Sequence, residues 1–140
     1  MKKEYILNNL VDTEQTAIEL VASLQGGEWI ALNGPLGAGK TTFTQATARS
    51  FGVFDLVRSP TYSLVHTYKT NHPTIKTLVH ADLYRLESVD ASDIGLDEWV
   101  GKKDVVVFVE WPERLREGRF DVELKFLLEE WGRKLIVEKK

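Results

Sequence analysis

The spacing of apolar positions changes along the chain, and each spacing predicts an element. In "DTEQTAIELVASLQGG", Ala17, Leu20, Val21 and Leu24 recur at helical intervals and give one buried face. Asp12 is placed to cap this helix, Gln15 to complete a capping box, and Gly26–Gly27 to end it. "EYILNNL" ahead of it reads as a short strand. "WIALNG" is an apolar run that stops at glycine, as a buried strand does. Lys40 to Phe51 forms a second helix, with Phe43, Ala46 and Phe51 facing inward.

The later pattern belongs to strands. "TYSLVHTYK" and "TIKTLVHAD" are rich in β-branched and aromatic residues and flank "TNHP", which predicts a hairpin. "LESVDASDIGLDEWV" is polar and helical in parts. "DVVVFVE" is almost continuously apolar, the mark of a strand covered on both faces. "DVELKFLLEEWGRKLIVEKK" closes as a second hairpin that turns near Trp131–Gly132. Early alternation of helix and strand followed by hairpins predicts an α/β sandwich. Its mixed sheet has a parallel centre, antiparallel edge strands and helices on both faces. The strand order is left open.

Composition narrows this picture. With 140 residues, 43% hydrophobic and 28% charged, the chain reads as one soluble domain, 1–140. It has no cysteine, which excludes disulfides and thiolate metal sites. "MKKEYILNNLVDTEQ" has no apolar stretch after its lysines, so it is not a signal peptide. No run approaches the roughly 18 apolar residues of a membrane span. A cytoplasmic location is expected. A net charge of −3, with the signs interleaved, argues against a protein that coats duplex DNA.

"GPLGAGKT" carries the chemistry. It matches G-x-x-x-x-G-K-[ST] in full, at Gly34, Gly39, Lys40 and Thr41, with a strand before it and a helix after it. Glycines let backbone N–H groups turn around a phosphate chain, and the helix N-terminus adds partial positive charge. Lys40 is suited to the β- and γ-phosphates and the Thr41 hydroxyl to Mg²⁺. Thr42 either touches the α-phosphate or points outward. The fold expected is therefore P-loop NTPase-like.

Such a site needs a carboxylate at the end of a neighbouring strand, and two qualify. Asp82 ends "TLVHAD" and Glu110 ends "VVVFVE". Residue type favours Asp82 as metal ligand, whereas strand burial favours Glu110. A plain reading, a solvated carboxylate capping the next turn, is open to either. No N-K-x-D run reads guanine, there is no room for an added lid domain, and no segment clearly supplies a kinase acceptor pocket.

With these residues in hand, the chain resembles the TsaE family, formerly YjeE, the bacterial P-loop ATPases of tRNA threonylcarbamoyladenosine biosynthesis. Four blocks carry the likeness: "GPLGAGKTTF" (34–43), "VRSPTYSLVHTY" (57–68), "HADLYRL" (80–86) and "VEWPERL" (109–115), within a stretch from Thr13 to Arg133. The resemblance implies that Gly37, Ala38, Gly39, Lys40, Thr41 and Thr42 hold the phosphates of ATP. It further implies that Thr41 and Glu110 hold Mg²⁺ and that Asp82 is needed for hydrolysis. Trp111 would lie beside the nucleotide, with Thr13 and Gly132 near the base. Ser59-Pro60-Thr61 would belong to a loop facing the γ-phosphate, ordered by ATP for docking. The family usually has Asp where Pro35 stands, on a side chain expected to point away from the phosphates.

The implied role is a slow Mg²⁺-dependent ATPase that acts on the heterodimer of two other proteins, TsaB and TsaD. Its hydrolysis would permit repeated threonylcarbamoyl transfer to adenosine 37 of tRNAs that read codons starting with adenine, tRNA being reached only through that complex. The rivals are a small-molecule or nucleoside kinase and a nucleotide-sensing adaptor that never hydrolyses. Residue by residue, plainer readings stand beside these. Tyr62, Tyr68 and Tyr84 suit half-buried packing, Trp111 suits rim packing, and His80 suits a satisfied strand histidine. His66, His72 and His80 lack metal-ligand spacing. Arg58, Arg85 and Arg114 each suit either charge stabilisation or the surface.

Overall fold

The computed structural model describes residues 1–53 and 64–140. Arg58, Ser59, Pro60, Thr61 and Tyr62, with the switch-like role expected of that loop, lie outside the described residues.

The chain runs β1 (Lys2–Leu7), α1 (Leu10–Ser23), β2 (Trp29–Asn33), α2 (Lys40–Ser50), β3 (Val65–Lys69), β4 (Thr77–Asp82), β5 (Val105–Glu110), β6 (Val122–Glu129) and β7 (Gly132–Lys139). Short 3-10 turns at Ala91–Ile94, Asp97–Trp99 and Pro112–Arg114 fill the polar stretches. All seven described strands join one sheet in the order β1-β7-β6-β2-β5-β4-β3. The neighbours β6, β2, β5 and β4 are parallel, while β3, β7 and β1 pair antiparallel outside them. The expected parallel centre and antiparallel edges are both present.

β5 explains why the centre is parallel and deep. All six of its residues are buried, and they alternate between two apolar layers. Val106 and Phe108 face the layer built with α1 and α2, where Leu20, Val21, Phe43 and Ala46 pack. Val105, Val107 and Val109 face the second layer, closed by Leu83, Val89, Leu96 and Leu115 from the 3-10 turns and their connections. Helices cover both faces, α on one and 3-10 on the other. No described helix is long and apolar enough to cross a membrane.

α1 starts earlier than its periodicity indicates. Asn9, not Asp12, is the cap: its side chain accepts from the Asp12 N–H at 2.9 Å. Asp12 takes the third helical position and accepts from the Asn8 N–H at 3.0 Å, which leaves Gln15 outside the cap. Leu10 and Val11 are exposed and add nothing to the buried stripe, so the stripe cannot mark the true start. The buried threonines of α2 satisfy their hydroxyls by bonding back to the helix: Thr44 to Lys40 O and Thr47 to Phe43 O, both at 2.9 Å.

Candidate functional site

The loop from Gly34 to Gly39 leaves β2 and enters α2 at the C-terminal edge of the parallel strands, where open α/β sheets bind ligands. Gly34 must be glycine: a Cβ there would stand 2.9 Å from Phe126, below any normal contact. Gly39 caps α2 at φ 103 with no side-chain bond, so no side chain competes with a ligand for the first-turn N–H groups. Ala38 is buried, and its N–H donates to Pro35 O at 3.2 Å. Pro35 borders a smaller hollow behind the loop, with Trp111 and Glu113, rather than the cleft.

A cleft of about 420 Å³ opens in front of the loop, within the usual size range for small-molecule sites. Gly37, Gly39, Lys40, Thr41 and Thr42 line one wall, with Asp82 and Glu110 on the other. Lys40 is 5% exposed. Its Nζ donates to Gly34 O at 2.7 Å and lies 4.2 Å from the centre of the Trp111 ring. Burial pushes the Lys40 ammonium below its ordinary pKa, although the Glu110, Asp82 and Glu113 carboxylates pull the other way.

The two acids stand side by side. Asp82 and Glu110 are register partners at the ends of β4 and β5, and Glu110 is also the partner of Leu32 on β2, just ahead of the loop. Glu110 is 3% exposed, and its Oε2 lies 2.6 Å from His80 Nε2. With the proton on Nε2, His80 donates to that oxygen and orients the carboxylate, leaving Oε1 for another partner. His80 Nδ1 is buried with no hydrogen-bond partner among the described residues. The strand histidine is thus half satisfied, and its sequence position gave no sign of the link to Glu110. Asp82 is half-buried and accepts from the Tyr84 N–H at 3.0 Å.

These donors suit Mg²⁺. Thr41, Glu110 and Asp82 put one hydroxyl and two carboxylates on a single cleft, hard oxygens of the kind that hold Mg²⁺ together with substrate phosphates. Among the described residues no group of three or more His, Asp or Glu gathers to hold a metal without such phosphates.

Trp111 lies on the rim in a left-handed conformation, φ 58, with Pro112 following it. Tyr84 tilts against it, ring centres 5.2 Å apart. Arg85 lines the cleft, whereas Arg114 hydrogen-bonds to backbone carbonyls near Tyr84. Arg133 also lines the cleft and donates to Gly37 O at 3.4 Å. Sequence reasoning missed Arg133, although it directly follows Gly132. Gly132 and Thr13 stand apart from the cleft wall. Gly132 packs on Asn8, where a Cβ would meet Oδ1 at 2.8 Å, and the Thr13 hydroxyl donates to Asn9 O at 3.3 Å. His66 and His72 are used locally, His66 beside the Tyr68 hydroxyl and His72 accepting from the Ile75 N–H.

Comparison with known proteins places the chain in a family. Residues 7–135 match the family model "Threonylcarbamoyl adenosine biosynthesis protein TsaE". The tRNA threonylcarbamoyladenosine biosynthesis protein TsaE of Aquifex aeolicus is 39% identical over 140 residues, 99% of this chain and 97% of that protein. The same-named protein of Bacillus subtilis is 35% identical over 121 residues, 84% and 73% of the two chains. A crystal structure of Bacillus subtilis YdiB superposes with a TM-score of 0.75 at 26% identity, covering 99% of this chain and 86% of that one. Matched over nearly its whole length by model, by relatives and by fold, the chain belongs to the TsaE family.

Proposed function

We propose that residues 1–140 form a single Mg²⁺-dependent ATPase domain serving tRNA threonylcarbamoyladenosine biosynthesis in the cytoplasm. It acts on the TsaB–TsaD heterodimer, and its hydrolysis resets that complex for repeated modification of adenosine 37. The observation that carries the reading is the convergence of the P-loop, Asp82 and Glu110 on one cleft, with the acids in register on adjacent parallel strands. The family membership and the biosynthetic role in the relatives' names support the pathway it serves.

The roles follow from chemistry. Backbone N–H groups of 37–42 and the N-terminus of α2 cradle the phosphates. Lys40 exchanges Gly34 O for the β- and γ-phosphates, a short move for a side chain already at the loop. Thr41 and Glu110 hold Mg²⁺, with His80 keeping the glutamate oriented. Held there, the metal would supply neutralisation of the phosphate charge. Asp82 orients a water whose oxygen adds to the γ-phosphorus as the bond to the β–γ bridging oxygen breaks, releasing ADP and phosphate.

The test is ATP hydrolysis by the purified protein, alone and with the TsaB–TsaD heterodimer, with Mg²⁺ throughout. Weak activity that rises with the partners supports the reading. Hydrolysis indifferent to the partners, or none under any condition, removes it. Glu110→Ala should abolish the Mg²⁺-dependent rate while ADP still binds. If that variant kept a Mg²⁺-dependent rate, the metal would belong to Asp82.

A further inference from the structure

One side chain fastens the turn after β4 to the turn after β5. Arg114 Nη1 donates to Leu86 O at 2.9 Å and to Tyr84 O. Its guanidinium lies 5.1 Å from the Trp111 ring centre and 5.8 Å from that of Tyr84. The two accepting carbonyls belong to the residues on either side of Arg85. The same turn is closed by Leu86 N–H to Leu83 O at 3.0 Å and tied to Asp82 Oδ1 by the Tyr84 N–H. The backbone that carries Arg85 is therefore held from both sides, next to the acid expected to direct water.

Arg85 itself is exposed and lines the cleft, and among the described residues it makes no hydrogen bond or ion pair. Arg133, the other guanidinium lining the cleft among the described residues, is engaged differently. It donates to Gly37 O and packs 3.6 Å from where a Cβ on Gly39 would stand, against the P-loop backbone. Arg114 does not line the cleft at all among the described residues. Among the described residues the three side chains divide into a strut, a loop contact and an unpaired cation that lines the cleft.

The geometry points to Arg85 as the guanidinium that stabilises the charge developing on the transferring phosphoryl group, with Arg114 as the positioning residue that aims it. This rests on the ATPase reading above. Exposure would keep hydrolysis slow without partners: water screens the Arg85 charge until a docked protein excludes it.

The experiment measures kcat and KM for MgATP with and without the TsaB–TsaD heterodimer, and ADP affinity by calorimetry. The variants are R85A, R85K, R114A and R85A/R114A. R85A should lower the partner-stimulated kcat on the order of 100-fold, with ADP affinity changed by less than about threefold. R85K should recover only part of the rate, because an ammonium lacks the planar fork. R114A should lower kcat about tenfold, and in the double variant it should add less than about twofold to R85A, because it acts through Arg85. A purely structural role for Arg114 would instead multiply with R85A, which overturns the positioning assignment. R85A with kcat within about threefold of wild type, or with ADP affinity falling in step with kcat, overturns the assignment of Arg85. Wild-type protein without hydrolysis under any condition removes the ATPase reading, and this inference with it.

Discussion

Lys40 shows at the scale of one residue how function and stability oppose each other. Its ammonium is nearly sealed from water between a carbonyl and an indole face, and burial lowers its pKa. Below that lowered pKa the lysine is charged in both the folded and unfolded states, and the folded state bears the desolvation penalty. As pH rises through the lowered value the penalty fades, and it is gone above the unfolded pKa. Lys40→Met keeps the stem and removes the charge. The variant should therefore melt higher than wild type near neutrality, converge with it in alkaline solution, and lose ATP binding. Thermal melts across pH with nucleotide titration test this, and a lower melting point at neutral pH would refute it. The P-loop lysine was legible from its motif alone. Its indole cover was not, because that contact depends on Trp111 adopting a left-handed backbone that sequence favours only for glycine or asparagine.

Among the elements, α2 carries both the site and the core. Its first turn lines the cleft, while Phe43 is fully buried and meets Phe126 edge-on, ring centres 5.6 Å apart. Phe43→Ala should cost about 3–5 kcal/mol and lower the melting temperature by roughly 10 °C or more. Asn9→Ala, which removes only the α1 cap, should cost about 1 kcal/mol and leave ATP hydrolysis unchanged. Calorimetric melts of the two variants separate core packing from capping. Element type was readable in the sequence because a short unbroken apolar run marks a doubly covered strand, as in β5, and period 3.6 survives in a helix, as in the buried stripe of α1. The start of α1 was not readable, because a cap is a backbone geometry and both Asn9 and Asp12 have the side chain for it.

For the whole molecule, the sheet order brings the site together. β2 lies between β6 and β5, so the P-loop emerges beside Glu110, and β4 adds Asp82 one strand further out. Because these groups meet only in the native fold, ligand binding should stabilise that fold by mass action. MgATP at about 100 times its Kd should add about 2.7 kcal/mol and raise the melting temperature by several degrees. Glu110→Ala should lose the Mg²⁺-dependent part of that rise and keep the nucleotide part. An unchanged Mg²⁺ effect would place the metal elsewhere.

By itself the sequence determined which segments become strand and helix, where the glycine-rich P-loop lies, and which two carboxylates stand at strand ends. These are local properties, written in spacing and residue type over a few neighbours. Only the tertiary structure decided that α1 and α2 share one face, that His80 holds Glu110, that Arg114 brackets Arg85, and that Arg133 reaches the P-loop from β7. Each joins residues far apart in the chain through strand order and register, and no local pattern encodes which strand will lie beside which.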